Sequence, residues 1–410
     1  PDRDKKSTRI WRIRHSSQSK LRPLDVASVP ASELPALLDS DSTWISRAAW
    51  HQIAERGTPS LVAELTSMAL SQSLGVEARI LALWSLEDMG ALATDLVRAA
   101  LSDSEHVIVR EGARLCAGQQ MPAEQVADAL SSLVANPNAA VRRAAIETLS
   151  AQEIGDQAST TLLLRFLQPA LDAPSVPMRN RNESALTGRA GEVAFERSLI
   201  RMALEKRTTA LTALLDADAL HGLAADAQVF AALCQGGVLG ASRLAPLLGQ
   251  SGRRPNAEEL AVLGRHQESS DVQEVLFTWL GDEQMRLEIL RAFLESGMDW
   301  GKGPLAARLV GSLRALVGEG ASPERVDLAL AFAQKMRLSA FEPDVISLMR
   351  SGAVDRVAAL RTLIEMGCQN ASLFHEIATS SVPGSEVRER SVGALASVNI
   401  VAAFTQLLAV

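Results

Sequence analysis

Val76-Glu77-Ala78-Arg79-Ile80-Leu81-Ala82, Val109-Arg110-Glu111-Gly112-Ala113 and Val141-Arg142-Arg143-Ala144-Ala145 each set an arginine three residues before an alanine, all within Leu74 to Leu149. Arg47, in Trp44-Ile45-Ser46-Arg47-Ala48-Ala49-Trp50, extends the series backwards, and the successive gaps are 32, 31 and 32 residues. Seven residues past each arginine stands Ala54, Leu86, Ala117 or Leu149, so one helical face stays apolar with the arginine at its edge. Towards the other end Arg356 and Arg388 are again 32 apart, with Ala359 and Ser391 at the third position and Leu363 and Leu395 at the seventh. Self-similarity at a period of roughly 20 to 50 residues marks a stacked repeat. The chain is therefore read as all-α, a solenoid of stacked antiparallel helix pairs.

A helix pair of this size has two apolar faces and can cover neither alone, so pairs must hide one another's surfaces. Trp50, Trp84 and Leu86 on second helices and Leu65, Leu96 and Leu133 on first helices are the expected core. Ala82, Ala113 and Ala145 are expected where helices approach closely. The repeated arginines are assigned a structural role beside turn residues such as Asp41, Asp103 or Asn136, bracing successive turns.

The order of elements follows from caps and breakers. Ser32 to Asp39, then Trp44 to Arg56 capped by Asp41-Ser42 and stopped by Gly57, form the first pair. Leu61 to Ser71 with Val76 to Met89, Ala93 to Leu101 with Ser104 to Ala117, and Ala123 to Ala135 with Asn138 to Ser150 follow. Asn136-Pro137-Asn138 serves as turn and cap together. These pairs make 31–168 a regular array. Prolines, asparagines and glycines then mark 169–191 as an irregular loop or degraded repeat, and 192–410 carries further, less regular pairs. Within it, Glu192 to Leu215 and Ala241 to Leu248 are read as helical, Ser251 to Asn256 as a hinge and Gly297 to Gly303 as a turn.

Residues 1–30 read as an extended basic arm and linker, with a short strand over 7–14 that needs a partner outside the segment. Eight basic residues against Asp2 and Asp4 give residues 1–22 a balance of +6, leaving −13 for the rest of a chain whose net charge is −7. An acidic body of this kind argues against nucleic acid or anionic lipid as a partner. No apolar run approaches the ~20 residues of a membrane-spanning helix, so direct insertion is not expected. The start at Pro1 points to a fragment or a processed chain, and the apolar run ending at Val410 to a missing cap or a packing neighbour. Cys116, Cys234 and Cys368 are too far apart to outline a disulfide framework.

Motifs for chemistry are incomplete. The six histidines stand at least 36 residues apart, offering no local metal pair. His375-Glu376 has Thr379 where a zinc protease needs its second histidine, and Gly297 to Lys302 is one residue short of a phosphate loop. No Gly-x-Ser-x-Gly elbow and no Cys-x-x-Cys-His occurs. Tyrosine is absent, which leaves few platforms for stacking on bases. Asn182-Glu183-Ser184 and Asn370-Ala371-Ser372 match the short glycosylation pattern. No catalytic residue, metal ligand or cofactor site is expected in this segment.

The Val-Arg-x-x-Ala openings of the helix pairs resemble HEAT repeats. More narrowly, Arg9-Ile10-Trp11-Arg12-Ile13, Trp44 to Gly57 and Ala78 to Leu92 are similar to the middle region of the large membrane-bound dehydrogenase-like proteins of planctomycetes and relatives. Phe195 to Leu204 followed by Ala210 to Leu215 resembles a helix those proteins carry after the degraded repeat. The resemblance implies a sugar-dehydrogenase-like β-propeller before the repeats and a c-type cytochrome domain after them, with residues 7–14 as the last propeller strand and a periplasmic or other extracytoplasmic location. The expected function is a non-catalytic scaffold linking those two domains. The alternatives are a free-standing adaptor for a partner protein and a HEAT-like lyase or DNA glycosylase; a glycosylase would want a basic groove, which the acidic body opposes.

Overall fold

The computed structural model describes residues 24–118, 121–153, 155–171, 176–177, 184–217, 219–318 and 320–408. The chain divides into two compact units, Pro1–Gln152 and Glu153–Val410. The strand expected over 7–14 and the basic arm around it lie outside the described residues.

In the first unit two 3₁₀ turns, Val26–Ser28 and Ala31–Glu33, lead into α1 (Leu34–Leu37), followed by α2 (Thr43–Arg56), α3 (Val62–Leu70), α4 (Val76–Asp88), α5 (Thr94–Leu101), α6 (His106–Gly118), α7 (Ala123–Ser131) and α8 (Ala139–Ser150). Helices α2, α4, α6 and α8 pack side by side in chain order, and α3, α5 and α7 form the second layer. The layers have different sequence patterns because they have different numbers of neighbours. Helix α5 buries Leu96, Val97, Ala100 and Leu101 on one face and exposes Asp95 and Arg98 on the other. Helix α4, flanked by α2, α3 and α6, buries Ala78, Leu81, Ala82, Leu83, Ser85 and Leu86 almost all round.

Local chemistry fixes the helix ends. Asn138 Oδ1 accepts the Ala140 amide at 2.9 Å and Asn136 Oδ1 accepts the Asn138 amide at 2.9 Å, so two side chains close the turn before α8. Gly90 follows α4 with φ +63°, a conformation that favours glycine. Gly57 answers a different demand: a Cβ there would lie 2.4 Å from the Ile53 carbonyl oxygen. The expected cap on α2 differs, since Ser42 occupies the N-cap position without a side-chain cap bond.

The apolar ladder also shifts by one position. Ala54 and Ala117 are exposed, while Ile53 and Cys116, six residues past Arg47 and Arg110, are fully buried. Leu86 and Leu149 keep the seventh position buried in the helices that follow the expected register. Trp50 and Trp84 are half-buried rather than central, with rings 5.2 Å apart and Trp50 Nε1 donating to Asp88 Oδ2 at 2.8 Å. Indole needs a polar partner, which holds this pair at the edge of the core.

Ala82, Ala113 and Ala145 are each 0% exposed. At Gly112 an added Cβ would stand 3.1 Å from both Ala100 Cβ and the Leu101 amide nitrogen, which measures how closely α6 meets α5. Thr148 Oγ1 donates to the Ala113 carbonyl at 2.8 Å and ties α8 to α6. Ala113→Leu is expected to cost about 1 to 3 kcal/mol by overpacking. A thermal melt unchanged from that of the parent would rule out this close packing.

The second unit contains α9 (Gln157–Arg165), the two-residue antiparallel strands β1 (Val176–Pro177) and β2 (Ser184–Ala185), and then α10 (Gly188–Glu205), α11 (Thr208–Asp216), α12 (Ala225–Gln235), α13 (Gly237–Ser251), α14 (Ala257–Arg265), α15 (Ser270–Gly281), α16 (Glu283–Glu295), α17 (Leu305–Leu316), α18 (Pro323–Met336), α19 (Glu342–Ser351), α20 (Arg356–Met366), α21 (Ala371–Ser380), α22 (Glu386–Val398) and α23 (Ile400–Leu408). Helices α14, α16, α18, α20 and α22 pack in succession, and α13, α15 and α17 run alongside them. The helical stretch read from Glu192 to Leu215 starts earlier, at Gly188, and is divided at Arg207 (φ −108°, ψ 34°), whose guanidinium is buried and donates to the Glu153 carbonyl at 2.8 Å. Helix α13 runs beyond the expected 241–248 at both ends with Pro246 inside it.

Glycines at φ +70° (Gly297) and +76° (Gly303) turn the chain so that Trp300 enters the core and stacks on Phe293, centroids 4.1 Å apart. Lys302 pairs with Asp299 at 2.8 Å in that turn. Among the described residues no helix is long and apolar enough to cross a membrane.

Candidate interaction surface

The repeated arginines fall into distinct environments. Arg79, 2% exposed, donates through Nε to the Ala69 carbonyl at 3.1 Å and clasps the Asp103 carboxylate, joining the end of α3 to the turn before α6. Asp103 also accepts the Glu105 amide at 2.9 Å and Gln72 Nε2 at 3.3 Å. Arg142 donates to the Asn136 and Pro137 carbonyls at 2.7 and 3.1 Å, and Arg286 of α16 to those of Leu280 and Gly281 at 2.8 and 3.0 Å. Arg110 turns instead to Glu111, Nε to Oε1 2.8 Å, because that carboxylate is buried beside it and is shared with Arg114. Arg47 and Arg356 are exposed and Arg388 is half-buried. The bracing of turns expected of every repeated arginine is thus seen at Arg79, Arg142 and Arg286 and not at the exposed Arg47 and Arg356, and these positions do not converge on one site.

A concavity of about 640 Å³ lies in the second unit between α10, α12 and the turn that opens α14. Its lining includes Arg197, Arg201, Arg253 and Arg254, and every one of them is engaged. Arg201 pairs with Glu205 at 2.7 Å and with Glu258, and Arg254 with Glu295 at 2.6 Å. Arg253 grips the buried Glu259 with two nitrogens, at 2.9 and 2.5 Å. Glu259 also completes a capping box with Asn256, accepting its amide at 2.8 Å while Asn256 Oδ1 accepts the Glu259 amide at 2.9 Å. Arg197 lies over the Phe230 ring, 4.9 Å from its centroid, and donates to the Gln168 carbonyl at 2.8 Å.

Electrostatics set what this cleft can do. Hydrogen bonding to Glu205 and Glu258 holds Arg201 above the usual arginine range, whereas burial pulls Arg197 down against the pull of Asp226, Cys234, Glu258 and Glu259. Five carboxylates, Glu205, Asp226, Glu258, Glu259 and Glu295, stand on or beside four arginines, so the cleft holds no surplus of positive charge for a phosphate backbone. Ser198 Oγ donates to the Ala194 carbonyl of its own helix, and burial raises the neighbouring Cys234 thiol to about 12, far from thiolate reactivity. Half-exposed guanidinium groups are side chains enriched in protein–protein contacts.

Arg197, Phe230, Arg253 and Glu259 were not singled out by spacing, because the cleft joins positions up to 89 residues apart, Ala170 to Glu259. The one local signal for it is Asn256-x-x-Glu259 ahead of an apolar run, the pattern of a capping box.

Together the helix pairs and this cleft define the class: each unit is a HEAT-like stack of helix pairs with a scaffolding or interaction role. A family model described as HEAT repeats matches residues 94–174, from the start of α5 past the end of α9. No curated protein matches the chain.

Proposed function

We propose that this chain is a non-catalytic scaffold that holds a sugar-dehydrogenase-like propeller and a c-type cytochrome domain in fixed relation, outside the cytoplasm, with no cofactor of its own in this segment. The observation that carries the scaffolding part is the paired-arginine cleft on a stack of helix pairs, a surface furnished for contact with protein. The redox neighbours rest on the resemblance of Arg9 to Ile13, Trp44 to Gly57 and Ala78 to Leu92 to the dehydrogenase-like proteins. A stack of helix pairs suits such a tether because each pair is fixed by its neighbours and spacing between attached domains follows from the number of pairs.

The test is purification of the native polypeptide from its source with an antibody to this segment, followed by mass measurement and a haem absorption spectrum. The expected product is larger than 43.8 kDa, contains Cys-x-x-Cys-His and shows a c-type haem band. A haem-free polypeptide of that mass would remove the redox linkage and leave an adaptor for a separate partner.

A further inference from the structure

A second groove, about 450 Å³, runs in the second unit between α13 and α15 as far as the start of α16. Its chemistry differs from that of the arginine cleft. Trp279 (5% exposed) and the half-buried Val275 and Met285 make an apolar floor, while Asp271, Glu274 and Asp282 stand exposed along its rim. No lysine, arginine or histidine lines it.

Sequence spacing explains the arrangement. Asp271, Glu274, Val275, Thr278 and Trp279 follow i, i+3, i+4, i+7 and i+8, a single stripe of α15, so acidic and apolar groups lie side by side. The facing wall from α13 and the turn after it offers Pro246, Gly249 and Gly252, which send little into the space, beside the exposed, uncharged Gln250. A Cβ on Gly249 would meet Val275 Cγ2 at 3.4 Å, an ordinary contact, and Gly249 has no positive φ. Neither backbone conformation nor crowding requires glycine there; its consequence is an open slot. Asp282 Oδ1 caps α16 through the Gln284 and Met285 amides at 2.8 and 2.9 Å, which fixes one carboxylate at the end of the groove.

We propose that this groove docks a basic amphipathic segment of a partner protein, an apolar side chain resting on Val275, Trp279 and Met285 and lysine or arginine residues flanking it against Asp271, Glu274 and Asp282. The charge decides the occupant: three carboxylates around an apolar floor attract a cationic chain and repel nucleic acid or anionic lipid. Eleven positions of helical rise separate Asp271 from Asp282, ~16 Å, which an extended segment of about five residues spans. The inference rests on the reading of the chain as a protein-binding scaffold, and not on the redox neighbours.

The test is fluorescence polarisation of the full chain with a labelled synthetic peptide of about seven residues, arginine near both ends and leucine between, against a version with glutamate for arginine. Saturable binding of the arginine peptide, weakened by salt, and none of the glutamate peptide are expected. Asp271→Asn with Glu274→Lys is expected to weaken binding at least about tenfold. Gly249→Phe, which fills the slot, should weaken it comparably while the thermal melt stays near that of the parent. Asp282 is left intact because it caps a helix. Absence of saturable binding, or binding unmoved by both variants when their melts show them folded, would overturn the assignment. So would a concentration-dependent dimer dissolved by Gly249→Phe, which would give the groove to a second copy. Neither failure bears on the mass and haem content of the native polypeptide, which test the redox linkage separately.

Discussion

Arg79→Leu is expected to destabilise the first unit by about 3 to 5 kcal/mol, because it strands a buried carboxylate. The side chains of Arg79 and Asp103 are 3% and 7% exposed, so the Asp103 charge would lose its partner without gaining water. The Ala69 carbonyl would lose a donor in the same step. Replacing both members, as Arg79→Leu with Asp103→Asn, should recover part of the loss, since the unpaired charge is then gone. Urea denaturation of the two single variants and the double variant checks this; a loss under about 1 kcal/mol for Arg79→Leu would show that the pair behaves as a surface bridge.

The same pair predicts a pH response. Burial pushes the Asp103 carboxyl up, but the hydrogen bonds from Arg79, the Glu105 amide and Gln72, together with the charge on Arg79, outweigh it and hold the pKa below the ordinary aspartate value. A lowered folded pKa means that the contribution to stability is complete above the ordinary value and is lost as pH falls through the lower folded one. Acid titration of the parent should therefore show a stability decrement below the usual carboxylate range that Asp103→Asn lacks.

Trp300→Ala is the second large effect, about 3 to 5 kcal/mol. Trp300 is fully buried, stacked on Phe293, with Nε1 donating to Ser296 Oγ at 3.0 Å. Gly264 is shaped to it, since a Cβ there would lie 2.8 Å from the indole ring. Removing the ring leaves a cavity that this close packing cannot collapse, while Trp300→Phe keeps the stack and loses the indole bond, a smaller cost of about 1 to 2 kcal/mol. Circular dichroism melts should rank the parent above Trp300→Phe and that above Trp300→Ala; equal melting of the parent and Trp300→Ala would show that the turn is peripheral.

What could be read before the fold was known depended on whether the signal was local. The paired helices and the buried alanines at 82, 113 and 145 were legible because each of these alanines follows an arginine by three residues at a period of 31 or 32. Ala54 and Ala117 broke the register: the sixth residue past the arginine is buried in those helices and the seventh in α4 and α8, a difference the arginine spacing does not carry. Arg207 divided a helix for a tertiary reason, its bond to the Glu153 carbonyl, which no propensity encodes. The arginine cleft was hidden because its parts come from separate helices, and the acidic groove because it is made by missing side chains at Gly249 and Gly252.

Helix pairs stabilised chiefly by adjacent pairs should respond to damage locally. Hydrogen exchange read by mass spectrometry on Arg79→Leu and its parent measures this most directly. Faster exchange is expected in α3 to α6, around the broken brace, with protection in α18 to α22 unchanged. Equal loss of protection in both regions would mean one indivisible core, and would contradict a chain built of stacked helix pairs.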